Sequence, residues 1–278
     1  MKILESLHVK LNYIALTLKS LAKVIYLFFL KLFLFLFIAH LATFANAEQS
    51  QPELNYNVSA SGSHYPFYTS NPENPGILPE IITTLMAQAN ITVNHVELPT
   101  KRIAKYLENG FIDFDVFSLK WLAQNERDNP YYVFSDPLLP ATEMIIALPN
   151  KVAHYQTEQS LYSKEVGTVL GYDYHDDEKY NRVDFPSEKE LLIALSKARI
   201  DVAIMGIHTA AYWSKQLNIK IGVGAQHSHG YLRVRLLAKH KALLPKINQA
   251  IAYLHSNGYI KRIEDKYIEP IPAQNLRD

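Results

Sequence analysis

Two hydrophobic periods take turns along the chain. Residues 54–58 alternate apolar and polar, the period of two that marks a strand. Ile81, Ile82, Leu85 and Met86 then share one face of a helix running to about Ala89. Pro79 suits its first turn, where a missing N–H costs nothing. Residues 91–98 predict a strand. Thr100 predicts the cap of a helix that carries Ile103, Ala104 and Leu107 inward and ends at Gly110. Strands follow at 112–118, 133–138 and 143–148. Residues 166–171 predict a strand closing in a Gly turn, and 182–185 a short strand. Ser187 and Glu190 make a capping box for a helix through Ala198. Residues 201–205 predict a strand, 208–217 a helix, 219–223 a strand and 231–238 a strand running back. Two helices, 244–254 and 260–267, end the pattern, and a tail holding two prolines follows Glu269.

One phrase occurs twice. Leu107-Glu-Asn-Gly-Phe-Ile-Asp-Phe-Asp-Val-Phe-Ser118 reads against Leu195-Ser-Lys-Ala-Arg-Ile-Asp-Val-Ala-Ile-Met-Gly206, 88 residues later. The interval exceeds the ~20–50 residues of a solenoid repeat. It fits two α/β lobes of similar design with a ligand held between them. Ser118 and Gly206 then stand at matching strand ends, where open α/β sheets bind ligands. The apolar strands near 143–148 and 231–238 flank the second unit and predict two hinge crossings. The expected organisation is lobe 1 from 48 to 148, an inserted lobe 2 from 149 to 229, and a return to lobe 1 over 230–268. A loose tail, 269–278, ends the chain.

Residues 1–47 have a different character. Lys2, Lys10, Lys19 and Lys23 form a basic leader, residues 24–39 are apolar except for Lys31, and Ala45-Asn46-Ala47 is a small-x-small cleavage site. This is the pattern of a cleaved Sec-type signal peptide, with Glu48 as the new N-terminus. It places the protein in the periplasm of a Gram-negative bacterium. An uncleaved anchor is the competing reading. A spanning helix wants ~20 apolar residues, and this run is shorter and carries a charge.

Composition narrows the picture. There is no cysteine, which excludes disulfides and a lipid-anchored N-terminal Cys. The 231 residues after the leader are enough to bury a core without staples. The whole chain has 28 basic and 27 acidic residues; without the leader's five Lys and one Glu, 23 and 26 remain, a net of −3. That balance points away from nucleic acid and from anionic membrane surfaces.

Several phrases together carry a resemblance. They are Tyr65-Pro-Phe67, Gly76-Ile-Leu-Pro-Glu-Ile81, Leu107-x-x-Gly-x-Ile-Asp113 and Phe134-Ser-Asp-Pro-Leu138. Val166-Gly-Thr-Val-Leu-Gly-Tyr172, Leu195-x-x-Ala-x-Ile-Asp201, Ile247-Asn248 and Leu254-x-x-x-Gly-Tyr-x-x-x-Ile263 complete the set. In this order and spacing the chain resembles the bacterial extracellular solute-binding proteins of family 3. The resemblance implies an α/β, two-lobed, type II periplasmic-binding-protein fold. It implies a non-catalytic receptor that closes on a small polar solute, amino-acid-like or another small organic ion, for transport or sensing. The implied partners are that solute and an inner-membrane ABC permease or sensor, with a monomeric receptor and no cofactor. Affinity would be ~μM or tighter.

The family's amino-acid binders hold the α-carboxylate with an Arg after the first repeated phrase, helped by a Ser or Thr. They hold the α-ammonium with an acid at the end of the second. Here Ser118 is present, Arg127 is the nearest Arg, and the acidic position is Gly206. The ammonium partner is therefore absent from its usual place. The remaining ligand-binding candidates are Tyr65 and Phe67 in the loop after the first strand, Trp121 as a wall, Arg102 as a second anion holder and Tyr172 after the Gly171 turn. The free N–H groups of the helix beginning near Ser187 are another anion site.

The bland readings are core packing for the aromatics and a surface pair with Glu126 or Asp128 for Arg127. Asp113 and Asp201 are expected to accept bonds from turn N–H groups. His208 is expected to begin a helix at the cleft edge. His227-x-His229 is a weak metal signal with no third ligand near in sequence, so no metal is expected. The rival reading is an enzyme on the same fold, a prephenate- or arogenate-dehydratase-like protein. It needs a buried carboxyl as general acid, for which Glu80, Glu143 and Asp173 are the candidates.

Overall fold

The computed structural model describes residues 18, 19, 21, 23, 25–37, 52–62 and 64–268. Residues 25–37 are helical and their side chains are exposed. Among the described residues no helix is long and apolar enough to cross a membrane. The expected cleavage site and the expected loose tail both lie outside the described residues.

From residue 52 onward the chain forms one nine-stranded mixed sheet. β1 (Glu53–Asn57) lies between β2 (Thr92–His95) and β3 (Phe114–Ser118), parallel to both. β6 (Glu165–Val169) lies in the same way between β7 (Asn181–Phe185) and β8 (Val202–Gly206). Two antiparallel strands join these parallel groups. β5 (Leu139–Ala147) pairs with β8, β9 (Gly222–Leu237) pairs with β3, and β5 and β9 pair with each other. The short β4 (Tyr132–Phe134) also lies on β9. The repeated phrase thus yields corresponding strands, β3 and β8, one in each parallel group.

Each group packs its own helices. α1 (Ile77–Gln88), α5 (Leu244–Ser256) and α6 (Tyr259–Tyr267) cover β1–β3, and Ile81, Leu85, Phe114, Val234, Ile247 and Ile263 share one core with them. α3 (Glu188–Ser196) and α4 (Ile207–Leu217) cover β6–β8, where Ile146, Val169, Leu191, Leu195 and Met205 form a second core. A third cluster, with Ile145, Leu161, Val166 and Ile204, backs the same strands. The first core takes no buried residue from 142–231, and the other two take none from outside 145–221. α2 (Thr100–Glu108) buries Leu107 in a small satellite with Ile112 and Leu237.

Three local expectations are corrected. The strands predicted at 219–223 and 231–238 are one strand, β9. Its polar middle belongs to the sheet because its side chains are paired: His227 with Asp176 at 2.8 Å, Ser228 donating to Glu143 at 2.6 Å, and His229 with Thr142 at 2.8 Å. Thr100 does not cap α2. Pro99 holds that position, and the Thr100 hydroxyl donates to the Ala60 carbonyl at 2.8 Å. Asp113 accepts from the Asn55 amide of β1 (3.0 Å) and pairs with His240 (2.7 Å) and Lys239 (2.9 Å), while Asp201 is exposed and pairs with Lys151. Both acids are structural, but their partners lie on neighbouring elements instead of in their own turns.

Candidate functional site

The strand ends of both parallel groups and the two antiparallel strands surround a cavity of about 150 Å³. On β3 Asp115, Val116 and Phe117 reach its wall, and Trp121 follows in a 3-10 turn in which the Lys120 amide donates to the Ser118 hydroxyl at 3.4 Å. The loop after β1 adds His64 and Phe67. The turn after β6 adds Gly171, Tyr172, Asp173 and Tyr174. Glu188 opens α3, His208 lies in the first turn of α4, and Glu143 and Arg235 come from β5 and β9.

The wall is aromatic and acidic. Phe67, Phe117, Trp121, Tyr172 and Tyr174 give it rings; Asp115, Glu143, Asp173 and Glu188 give it carboxylates; among the described residues Arg235 is its one Arg or Lys. Arg235, only 8 % exposed, sits opposite Asp115 across the β3–β9 ladder. Its Nε and Nη2 bind the two Asp115 oxygens at 2.9 and 2.5 Å, and its guanidinium lies 3.8 Å from the Phe117 ring centre. Such a bidentate fork is specific to Arg. Burial raises the Asp173 carboxyl above its ordinary pKa, and the Arg235 charge offsets part of that rise.

A second polar cluster joins the two sides of the cavity. Glu188 accepts from the Tyr172 hydroxyl at 2.7 Å, from the Ser61 hydroxyl, and from His64 Nδ1 at 2.5 Å. The Ser61 amide also donates to the Tyr172 oxygen at 3.3 Å. Burial alone would push the Glu188 carboxyl up; the His64 charge and the three donors hold it down, at about 2. Ser61 and His64 follow β1, whereas Tyr172 and Glu188 belong to the β6–β8 group. Gly171 belongs to this seam as well. Its φ is +84°, and a Cβ there would stand 3.0 Å from the Lys101 amide.

Two polar atoms in the wall are buried without a hydrogen-bond partner, Trp121 Nε1 and His208 Nδ1. Burying such atoms unpaired costs about 1–3 kcal/mol each. Burial lowers the pKa of His208.

Of the residues singled out from sequence, Phe67, Trp121 and Tyr172 line the cavity. Tyr65 does not; its ring stacks on Tyr212 at 3.6 Å and its hydroxyl donates to the Tyr267 carbonyl at 3.2 Å. Ser118 is buried beneath the wall. Arg127 folds onto its own neighbours, donating to the Leu122 carbonyl at 3.2 Å and to Gln124. Arg102 is exposed on α2. Ser187 caps α3 as predicted, accepting from the Glu190 amide at 3.4 Å. Glu80, the third carboxyl considered for an enzyme, is bound to Lys266 and Tyr267 away from the cavity. Arg235, Asp115, His64 and Glu188 had no sequence signal, because their partners lie far along the chain.

Residues 56–270 match the bacterial extracellular solute-binding proteins, family 3. No curated protein matches the sequence. Among solved structures, the GluR0 ligand-binding core from Nostoc punctiforme in complex with L-glutamate is 16% identical, with a TM-score of 0.64 over 79% of this chain and 100% of that one. A periplasmic binding protein of an arginine transport system from Legionella pneumophila is 18% identical, with a TM-score of 0.62 over 78% and 100%. An ancestral amino acid-binding protein, described as a precursor of cyclohexadienyl dehydratase, is 16% identical, with a TM-score of 0.62 over 78% and 96%. The shared fold is that of the type II periplasmic binding proteins.

Proposed function

This chain belongs to the bacterial extracellular solute-binding proteins, family 3, and from that premise we propose that it captures a small amine-bearing polar solute of amino-acid size. One observation carries the reading: the cavity wall combines aromatic rings and carboxylates with two buried, unpartnered polar atoms. Asp173 and Glu143 offer charge to an ammonium group, and the rings offer cation–π attraction worth ~0.5–2 kcal/mol. Trp121 Nε1–H must find an acceptor, so the solute carries one, as an amino acid does. The absent acid at Gly206 is made good from the next strand, where Glu143 stands opposite Gly206 in the β5–β8 register. Arg235 Nη1 is the arm left to an acidic group once Asp115 has taken Nε and Nη2. Neighbours whose names include arginine and glutamate binding support this ligand class.

The organisation that goes with this reading is two lobes, 48–148 with 230–268 and an inserted 149–229, which open and close about β5 and β9. The leader is removed after Ala47 and the receptor works in the periplasm as a monomer, passing its solute to an ABC permease. It is a receptor and not an enzyme. Glu188, held ionised, is no proton donor at neutral pH. Glu143 accepts from Ser228 and faces His227.

Isothermal titration against amino acids, polyamines and organic acids tests the proposal. The expected result is a Kd in the ~μM range for one amine-bearing solute, with no binding of acids that lack an amine. Tight binding of a simple dicarboxylate would refute the ligand class. Turnover of a prephenate-like substrate, lost in Glu143→Gln, would refute the receptor reading.

A further inference from the structure

Behind the cavity wall, the β6–β8 group holds a buried cluster of metal-ligating side chains. His175 and Asp176 follow Tyr174, and His227 comes from the middle of β9, 51 residues beyond Asp176. One donor atom from each lies within 4.8 Å of the other two. Asp176 and His227 are buried and His175 is half-buried. Three polar atoms here, His175 Nδ1, Asp176 Oδ2 and His227 Nδ1, are buried and without a hydrogen-bond partner. Each ring has its other nitrogen near a carboxylate: His175 Nε2 lies 3.4 Å from Glu158, and His227 Nδ1 lies 3.6 Å from Glu143. Histidines that bind metal direct their second nitrogen at such an acceptor, which fixes tautomer and ring orientation.

We infer that His175 Nδ1, His227 Nε2 and the Asp176 carboxylate form a binding site for a divalent first-row transition-metal ion of the zinc class. Imidazole donors select Zn²⁺, Ni²⁺ or Cu²⁺ over Mg²⁺ and Ca²⁺. Asp176 Oδ1 and His227 Nε2 are 2.8 Å apart. Two donors on one tetrahedral ion with bonds of ~2.1 Å stand ~3.4 Å apart. That pair therefore opens by about 0.6 Å to admit the ion, and the other separations, all within 4.8 Å, close by up to about 1.4 Å. His229, the nearer histidine in sequence, takes no part: it is exposed and bound to Thr142. An ion here ties β9 to the turn that carries Tyr172, Asp173 and Tyr174, and so braces one wall of the cavity.

The test uses the full-length chain expressed without a polyhistidine tag, stripped with chelator and then given Zn²⁺ alone. The expected result is one equivalent of zinc retained through dialysis and a Tm rise of ~5–10 °C at a hundredfold excess over Kd. Both are lost in His175→Ala and Asp176→Asn and kept in His229→Ala. Should the variants fail to fold, the visible spectrum of the wild-type chain with Co²⁺ decides. Ligand-field bands of a low-coordinate nitrogen and oxygen site support the assignment, and the spectrum of hexaaquo cobalt overturns it. Equal zinc retention in wild type and His175→Ala, or loss of zinc in His229→Ala, also overturns it.

Discussion

Replacing Glu188 by Gln isolates the cluster that joins the two sides of the cavity. Gln keeps the size of the side chain and one carbonyl acceptor. It removes the charge that His64, Ser61 and Tyr172 all address. The Glu188 carboxyl lies at about 2 against an ordinary 4.5, and the difference corresponds to roughly 3 kcal/mol. Breaking one side of a buried ion pair costs about 3–5 kcal/mol by a separate route, so the two figures agree. For a domain of this size each kcal/mol moves Tm by ~2–4 °C, and Glu188→Gln should lower Tm at pH 7 by about 6–12 °C. The pH dependence has a definite sign. A carboxyl depressed on folding contributes stability above its unfolded pKa and loses it as pH falls through the folded value. The gap between wild type and variant should therefore be full above about pH 5 and shrink steadily toward about pH 2. Thermal unfolding followed by circular dichroism across that range measures it. Equal Tm values at pH 7, or a gap that ignores pH, would show that Glu188 is not held as a buried charge.

Asp115→Asn leaves the Arg235 guanidinium buried with half its fork unmatched. It should cost about 3–5 kcal/mol in urea unfolding, and a cost under ~1 kcal/mol would show that the pair is not held as described. Gly76→Ala should cost about 2–3 kcal/mol by the same assay, because Gly76 has φ 102° and ψ 172° and a Cβ would meet the Phe67 carbonyl oxygen at 2.7 Å. A neutral result would mean that this turn relaxes freely. Trp121→Phe keeps a ring in the wall and removes the indole N–H; calorimetry with the cognate solute should show binding weakened ~5- to 15-fold. Unchanged affinity would mean that the solute makes no bond there.

The parts of the fold legible in sequence are those set by local pattern. The repeated phrase located β3 and β8 because a helix end, a tight turn and an apolar strand are neighbours along the chain. The capping role of Ser187 was legible for the same reason. The polar middle of β9 was not, since His227 and Ser228 belong in a sheet only once Asp176 and Glu143 are there to pair with them. The site divides in the same way. Trp121 and Tyr172 stand just beyond strand ends, where spacing points to a cleft. Arg235 is separated from Asp115 by 120 positions, and Glu188 from His64 by 124. No local pattern links such pairs. Arg127 attracted attention by its nearness to Ser118, yet its guanidinium is bound to Leu122 and Gln124; a local bond and a ligand contact look alike at the level of spacing.

The chain's lack of cysteine allows the central claim to be measured directly. Single cysteines placed at Asn71 and Lys197, both exposed and one on each side of the cavity, can carry spin labels for a pulsed dipolar distance measurement. One amine-bearing solute should shift the label separation to a shorter, narrower distribution, and removing the solute should restore the broad one. An identical distribution with and without a saturating bound solute would contradict closure around a guest.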